Sequence, residues 1–342
     1  MRPLTWRTAK ALVPVLGRPL LDHLIRHLKQ HGFDHVTLAM TRLNPAIRDV
    51  FGDGAALGVR IEYAYEDTPL GSGGAIASIA SAWLRQGWSE TFAVLNGDVI
   101  TDLDTSQMLA EHRAKGAVLS LSLHQVEDPS PFGVVDLASD GRIRRFVEKP
   151  RAEDAPSRLI NAGTWIFEPH LVEQMAPRSF HRVEDGLFPT LCEAGEAVFG
   201  FHRPAYWADV GNPQALLRVN LDMASGLIPS AAEVAPGDGR HVHATARVHP
   251  QARVTAPAVV GAHSRVGKGA QVRASVLWDG VTIEEGASIE NSILATGVRV
   301  GAGAHVQDSV IAHEVAVPPG ARLHGAVLDP AGQAADAAAP GS

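Results

Sequence analysis

Two aspartates far apart in the chain, Asp98 and Asp209, each close an apolar, strand-like run with glycine at hand. Asp98 ends Phe92-Ala93-Val94-Leu95-Asn96-Gly97-Asp98, and Asp209 lies in Tyr206-Trp207-Ala208-Asp209-Val210-Gly211. Mg²⁺ sheds its water reluctantly and is commonly held by one or two carboxylates together with substrate phosphates. Such a pair therefore suits one ion set against a nucleotide. A Gly-Asp step on its own more often caps a turn. The order of the other short motifs around the two acids decides between these readings.

Those motifs have to be positioned by regular elements. The first two-thirds of the chain alternates helical and strand patterns, which predicts an α/β domain with a mainly parallel sheet. Residues 18–30 read as an amphipathic helix, with Leu21, Leu24, Ile25 and Leu28 on one face and Gly32 just past its end. Strands are expected over 35–40 and 59–65, a short helix over 46–51, and a helix from Ala75 to Leu84. That last helix follows the loop Pro69-Leu70-Gly71-Ser72-Gly73-Gly74. Further on come a strand over 117–126, a hairpin turning at Ser139-Asp140-Gly141, and a strand over 163–167.

From about His241 the pattern changes. Valines stand at 242, 248, 254, 260, 266 and 272, six residues apart. The segment Ser275-Val276-Leu277 then returns as Ser292-Ile293-Leu294, Ser309-Val310-Ile311 and Ala326-Val327-Leu328, seventeen residues apart. An aliphatic at every sixth position, with Gly and Ala between, is the mark of a left-handed parallel β-helix. Three six-residue sides make a coil of about eighteen, so seventeen is one coil with a tightened corner. The expected division is a first domain over 1–229, a linker over 230–240, a β-helix over 241–329 and a flexible tail over 330–342.

Bulk properties exclude several classes. A net charge of −7 argues against a nucleic-acid partner, which would call for a basic stripe. No apolar run approaches a membrane span, and the N-terminus has no apolar export segment. Cys192 is the only cysteine, which excludes intrachain disulfides and suits a reducing cytoplasm.

Eight short motifs run in one order. They are Arg2-Pro3-Leu4-Thr5, Lys10-Ala11-Leu12-Val13-Pro14-Val15, the 69–75 loop, Leu95-Asn96-Gly97-Asp98, Phe132-Gly133-Val134-Val135, Phe146-Val147-Glu148-Lys149-Pro150, Asn161-Ala162-Gly163 and Trp207-Ala208-Asp209-Val210-Gly211. In this order, and followed by the six-residue repeat, they resemble the sugar-nucleotide pyrophosphorylases, especially the mannose-1-phosphate guanylyltransferase-like branch. The resemblance implies a Rossmann-like nucleotidyltransferase domain that joins a sugar 1-phosphate to the α-phosphorus of a nucleoside triphosphate and releases pyrophosphate.

The resemblance also implies roles. Asp98 and Asp209 take the metal-ligand positions for Mg²⁺, and Lys10 the lysine that meets the phosphates at the reacting centre. Glu66, Pro69, Leu70, Gly71, Ser72 and Gly97 fall on the nucleotide side, where glycine lets backbone approach the ligand. Glu148 and Lys149 match a sugar-side pair, a carboxylate for hydroxyls and an ammonium for the 1-phosphate, with Gly133 and Asn161 beside them. The bland alternatives are a surface lysine, a plain loop before a helix, an exposed ion pair and turn residues. Glu66 stands where related pyrimidine-nucleotide enzymes tend to carry glutamine. A carboxylate only accepts, and guanine presents adjacent N–H donors, so this position leans toward GTP and GDP-mannose. The same reaction with UTP or dTTP is the alternative.

Two features depart from the pattern. The glycine-rich run that leads the family, with its buried first strand, is absent ahead of Arg2-Pro3-Leu4-Thr5. Two readings compete. The favoured one is a misassigned start, with a leucine-type codon read as the initiating methionine. The other is a true truncation, for which the sheet is expected to lack an interior strand and activity to be severely impaired. Lys10 is flanked by alanines where the family commonly has prolines. Rival readings are a non-catalytic sugar-nucleotide-binding subunit and, for the repeat half, a histidine-dependent acyltransferase. Outward apolar positions on a β-helix face often meet another copy, so a homo-oligomer is expected.

Overall fold

A computed structural model describes residues 1–41, 45–228 and 238–330. The expected linker lies almost wholly outside the described residues, as does the tail beyond Pro330. Compactness does not follow chain order. One unit comprises residues 27–207, and the other comprises residues 1–26 together with 208–342.

In the 27–207 unit, strand Leu159–Phe167 is central. It pairs antiparallel with Phe92–Leu95 on one side and with Leu119–Gln125 on the other, which explains its nearly unbroken burial. Val198–His202 adds to Leu119–Gln125 in parallel. The hairpin Gly133–Leu137/Ile143–Glu148 turns through Gly141 at φ +87° and joins the sheet where Val134 meets Ile160. All the antiparallel pairings of this sheet involve the central strand or that hairpin. The parallel pair His35–Thr41/Arg60–Glu66 forms a sheet of its own.

Strand Leu119–Gln125 shows how the sequence chooses its faces. Leu119, Leu121 and Leu123 enter the apolar core with Trp165, Phe167 and Phe188. Ser120 and Ser122 point to the other face, where they meet His112 Nδ1 at 2.9 Å and accept from Thr164 N at 3.1 Å. Buried hydroxyls on an otherwise apolar strand are tolerated because each is hydrogen-bonded.

In the other unit, helix Pro213–Ala224 is capped by Asn212, whose side chain accepts from Ala215 N at 2.8 Å, with proline at the first turn. The repeat forms a parallel β-solenoid with three ladders, one of six strands and two of five. Val242 pairs with Val260 eighteen residues on, whereas Val259 pairs with Val276 after seventeen. The tightened coil expected from the seventeen-residue step is therefore present. The returning serines form an internal ladder. Ser275 Oγ donates to Arg273 O and accepts from Ser292 N, Ser292 Oγ does the same toward Glu290 and Ser309, and Ser309 toward Gln307 and Ala326.

One finding bears on the expected self-association. Val259, Val276 and Ile293 lie outside the interior apolar cluster of the solenoid yet are buried. Helix Pro213–Ala224 packs against strands Ala258–Val260 and Val276–Leu277. The part of that face formed by Ala258–Val260 and Val276–Leu277 is covered by the chain itself.

Candidate functional site

The glycine-rich segment does not precede its helix but begins it. The helix runs Gly71–Arg85, so Gly71, Ser72, Gly73 and Gly74 form its first turn. The need for glycine comes from the segment 179–184 lying against that turn. A Cβ on Gly71, which sits at φ +70°, would stand 2.5 Å from His181 O, and one on Gly73 would stand 2.6 Å from His181 Nε2. Backbone bonds fasten the two segments: Gly73 N donates to His181 O at 3.0 Å, and His181 N to Leu70 O at 3.0 Å. Ser72 Oγ donates to Glu184 Oε2 at 2.5 Å and accepts from Val183 N at 3.1 Å.

Glu66 ends its strand and accepts from Leu70 N through Oε2 at 3.1 Å. One of its oxygens thus closes the loop that contains Pro69, rather than facing a base. Asp98 follows Phe92–Leu95 and is half-buried beside exposed Gly97, where an added Cβ would meet nothing within 4 Å. The turn before it is held by Gly163: Asn96 N donates to Gly163 O at 2.8 Å, and a Cβ on Gly163 (φ +77°) would stand 2.7 Å from Asn96 Nδ2. Two sequence motifs therefore meet there. Asn161 Oδ1 accepts from Gly163 N at 3.2 Å and from Trp165 Nε1 at 2.7 Å. Its oxygen holds the irregularity in the central strand.

Glu148 lies at the end of its strand against Gly133, where a Cβ would come 2.9 Å from Glu148 Oε2. Its other oxygen receives Arg182 Nη2 at 2.9 Å. Burial raises the Glu148 pKa, opposed by the Arg182 hydrogen bond and charge, with Glu184 pushing further up and Lys149 down. Lys149 is exposed and held at φ +44°, in the left-handed region, while its N–H donates to Phe132 O at 3.0 Å. Such backbone costs about 1–3 kcal/mol in a non-glycine residue and clusters at functional sites.

Lys10 and Asp209 belong to the other unit. Lys10 opens a short 3₁₀ turn and is half-buried. The segment around it is fastened on both sides. Asn220 Oδ1 accepts from Leu16 N at 2.9 Å, and Arg7 pairs with Glu314 at 2.5 Å. His313 Nε2 lies 3.2 Å from Leu4 O and 3.3 Å from Thr8 Oγ1. Met1 N donates to Gly211 O at 3.4 Å, which brings this segment to the turn that carries Asp209.

Among the described residues, no group of three or more His, Cys, Asp or Glu is arranged to hold a metal ion. A carboxylate is the donor type that suits a hard cation taking few protein ligands and completing its shell from substrate phosphates. Asp98 and Asp209 are both carboxylates, and each has glycine close by. No helix among the described residues is long and apolar enough to cross a membrane.

Sequence reasoning missed Arg182, Glu184 and Asn220. Only Asn220 left a signal, as a polar residue on the apolar helix face of Leu216, Val219 and Met223.

Residues 1–226 match the family model described as Nucleotidyl transferase, and residues 238–336 match the GMPPB C-terminal domain. The chain is 37% identical over 286 residues to the mannose-1-phosphate guanylyltransferase of Mycobacterium tuberculosis, covering 83% of this chain and 78% of the relative. It is 30% identical over 312 residues to the UTP–glucose-1-phosphate uridylyltransferase of a Synechocystis species, covering 82% and 80%. A solved structure of a putative glucose-1-phosphate thymidylyltransferase from Bacillus anthracis shares the fold, with a TM-score of 0.59 at 21% identity over 69% of this chain and 92% of that one. Enzymes of this family generally use a divalent metal.

Proposed function

The chain belongs to the nucleotidyl transferase family, and from that membership we propose that it joins mannose 1-phosphate to GTP, forming GDP-mannose and releasing pyrophosphate. The choice of sugar and base is carried by one observation, the 37% identity to a mannose-1-phosphate guanylyltransferase across most of both chains. Glu66 adds little to the choice of base, since one of its oxygens serves Leu70 N. UTP is the runner-up nucleotide, on the strength of the uridylyltransferase relative.

An oxygen of the sugar phosphate attacks the α-phosphorus, and the bond to the pyrophosphate oxygen breaks. The nucleophile already carries close to two negative charges near neutral pH, so no general base has to be supplied. The work left to the protein is alignment of two polyanions and neutralisation of charge. In this reading Lys10 places an ammonium on the phosphates. Gly97, with open space beside it, admits the nucleotide close to the main chain, and the turn Gly71–Gly74 lies on the same nucleotide side. Glu148, packed beside Gly133, accepts from sugar hydroxyls, Asn161 offers its amide nitrogen, and Lys149 meets the 1-phosphate. Mg²⁺, held by Asp98 and Asp209 with phosphate oxygens, would supply further charge neutralisation.

The catalytic domain is assigned to 1–229 and the repeat domain to 241–329. Cys192, the only cysteine in the sequence, leaves no intrachain disulfide to form, which suits a reducing compartment, and the cytoplasm is our assignment. The test is a matrix of GTP, UTP and dTTP against mannose and glucose 1-phosphates, read as pyrophosphate release. Fastest turnover with GTP and mannose 1-phosphate is expected. Equal or faster turnover with a pyrimidine nucleotide overturns the choice of base, and no release with any pair overturns the activity.

A further inference from the structure

Arg182, which no sequence motif marked, faces three carboxylates. Its guanidinium lies 2.9 Å from Glu148 Oε1, 3.7 Å from Glu184 Oε1 and 3.6 Å from Asp185 Oδ2. Glu148 and Glu184 have side chains only 13% and 11% exposed, and Glu184 is fastened through its other oxygen to Ser72 in the glycine-rich turn. The arginine therefore stands between two poorly solvated carboxylates, one in the sugar pocket and one tied to the nucleotide loop.

We propose that Arg182 positions Glu148 for the sugar 1-phosphate, taking one carboxylate oxygen while the other is held against Gly133. The inference rests on the sugar 1-phosphate reading given above. Removing the guanidinium leaves Glu148 and Glu184 facing each other without the cation between them. Like charges in a desolvated site favour protonation of one of the pair. A protonated Glu148 can no longer accept through both oxygens, and its rotamer is no longer fixed. The charged groups acting on it are Arg182 and Glu184 from the 182–184 segment and Lys149 from its own strand end. The Gly133 strand presents a glycine there.

The test uses the full chain and mannose 1-phosphate, with affinity read by calorimetry from about pH 5 to 8 and KM for each substrate read separately. Arg182→Met is expected to weaken mannose 1-phosphate binding about tenfold, the loss of one charged hydrogen bond. KM for the nucleotide should change far less. The pH at which affinity fails on acidification should move upward, because Glu148 loses its cation. Arg182→Lys keeps the charge and should restore most of the affinity. The inference is overturned by equal affinity in wild type and Arg182→Met, by an unmoved acid limb, or by Arg182→Lys losing as much as Arg182→Met. Should Arg182→Met fail to fold, the lysine variant alone carries the test: it must retain sugar-phosphate affinity. A wild-type chain that binds mannose 1-phosphate but releases no pyrophosphate defeats the proposed activity and leaves this inference standing. A wild-type chain that binds no sugar 1-phosphate defeats both.

Discussion

Gly71→Ala and Gly73→Ala look alike in sequence, but the structure separates them. At Gly71 the new methyl would stand 2.5 Å from the His181 carbonyl oxygen, about an ångström inside ordinary contact, and the backbone sits at φ +70°. Left-handed backbone costs an L-residue about 1–2 kcal/mol, and overpacking a fitted site costs about 1–3 kcal/mol. The obstacle is main chain already bonded to Gly73 N, so it cannot yield cheaply. A total of about 3 kcal/mol corresponds to about 6–12 °C in the melting of a unit of this size. At Gly73 the obstacle is the His181 imidazole, a side chain that can turn away at the loss of its Nδ1 contact with Ser179 O. Alanine there also gains up to about 1 kcal/mol of helix propensity. Combining Gly73→Ala with His181→Ala should therefore return melting close to wild type, whereas adding His181→Ala to Gly71→Ala should recover nothing. Differential scanning calorimetry of the single and double variants reads this directly, and KM for the nucleotide should rise with Gly71→Ala. A Gly71→Ala protein that melts with wild type, or that His181→Ala rescues, refutes the reasoning.

Asp98→Asn should lower pyrophosphate release by at least about 100-fold. Its melting should stay near wild type, since the side chain is only half-buried; an active variant would remove Asp98 from the chemistry. In the solenoid, Ser292→Ala leaves Glu290 O and Ser309 N without the hydroxyl that serves both, at a cost of about 1–3 kcal/mol in denaturant unfolding. Ala326→Ser, at the end of the described ladder, should change stability little by the same measurement. His27 is buried and its pKa is lowered to about 4, chiefly by desolvation and then by the His31 charge. The unfolded chain therefore binds the extra proton between about pH 6.5 and 4, and stability falls as pH drops through that window. Linkage puts the loss at about 2 kcal/mol between pH 7 and pH 5. Unfolding of His27→Gln at the two pH values should show a loss smaller by about that amount, and an unchanged loss would contradict it.

Much of the architecture was legible because periodicity survives without tertiary context. Every sixth aliphatic from Val242 to Val272 and the seventeen-residue return of Ser275 map onto ladders of the solenoid. The reason is simple: each coil buries the same inward position against the next. The serines read only as a repeated letter until the hydrogen bonds showed why a small hydroxyl is kept there. The glycine-rich turn was visible as composition, but its placement inside the helix was not, because the backbone that forbids a Cβ lies more than a hundred residues away in segment 179–184.

The sequence by itself determined which residue types were available for chemistry: two acids near glycine, a lysine near the start, and a carboxylate–ammonium pair at Glu148 and Lys149. It also determined the element pattern and, through ordered motifs, the family. Only the tertiary structure decided how those groups are held. Glu66 closes its own loop, Asn161 secures a strand irregularity, and Arg182 is placed on Glu148. Two strands of the solenoid's apolar outward face, Ala258–Val260 and Val276–Leu277, are covered by a helix of the same chain. Local spacing encodes periodic burial, because each repeat meets its neighbour. It carries no record of which distant side chain will arrive to satisfy a buried charge, since that depends on packing between segments far apart in the chain.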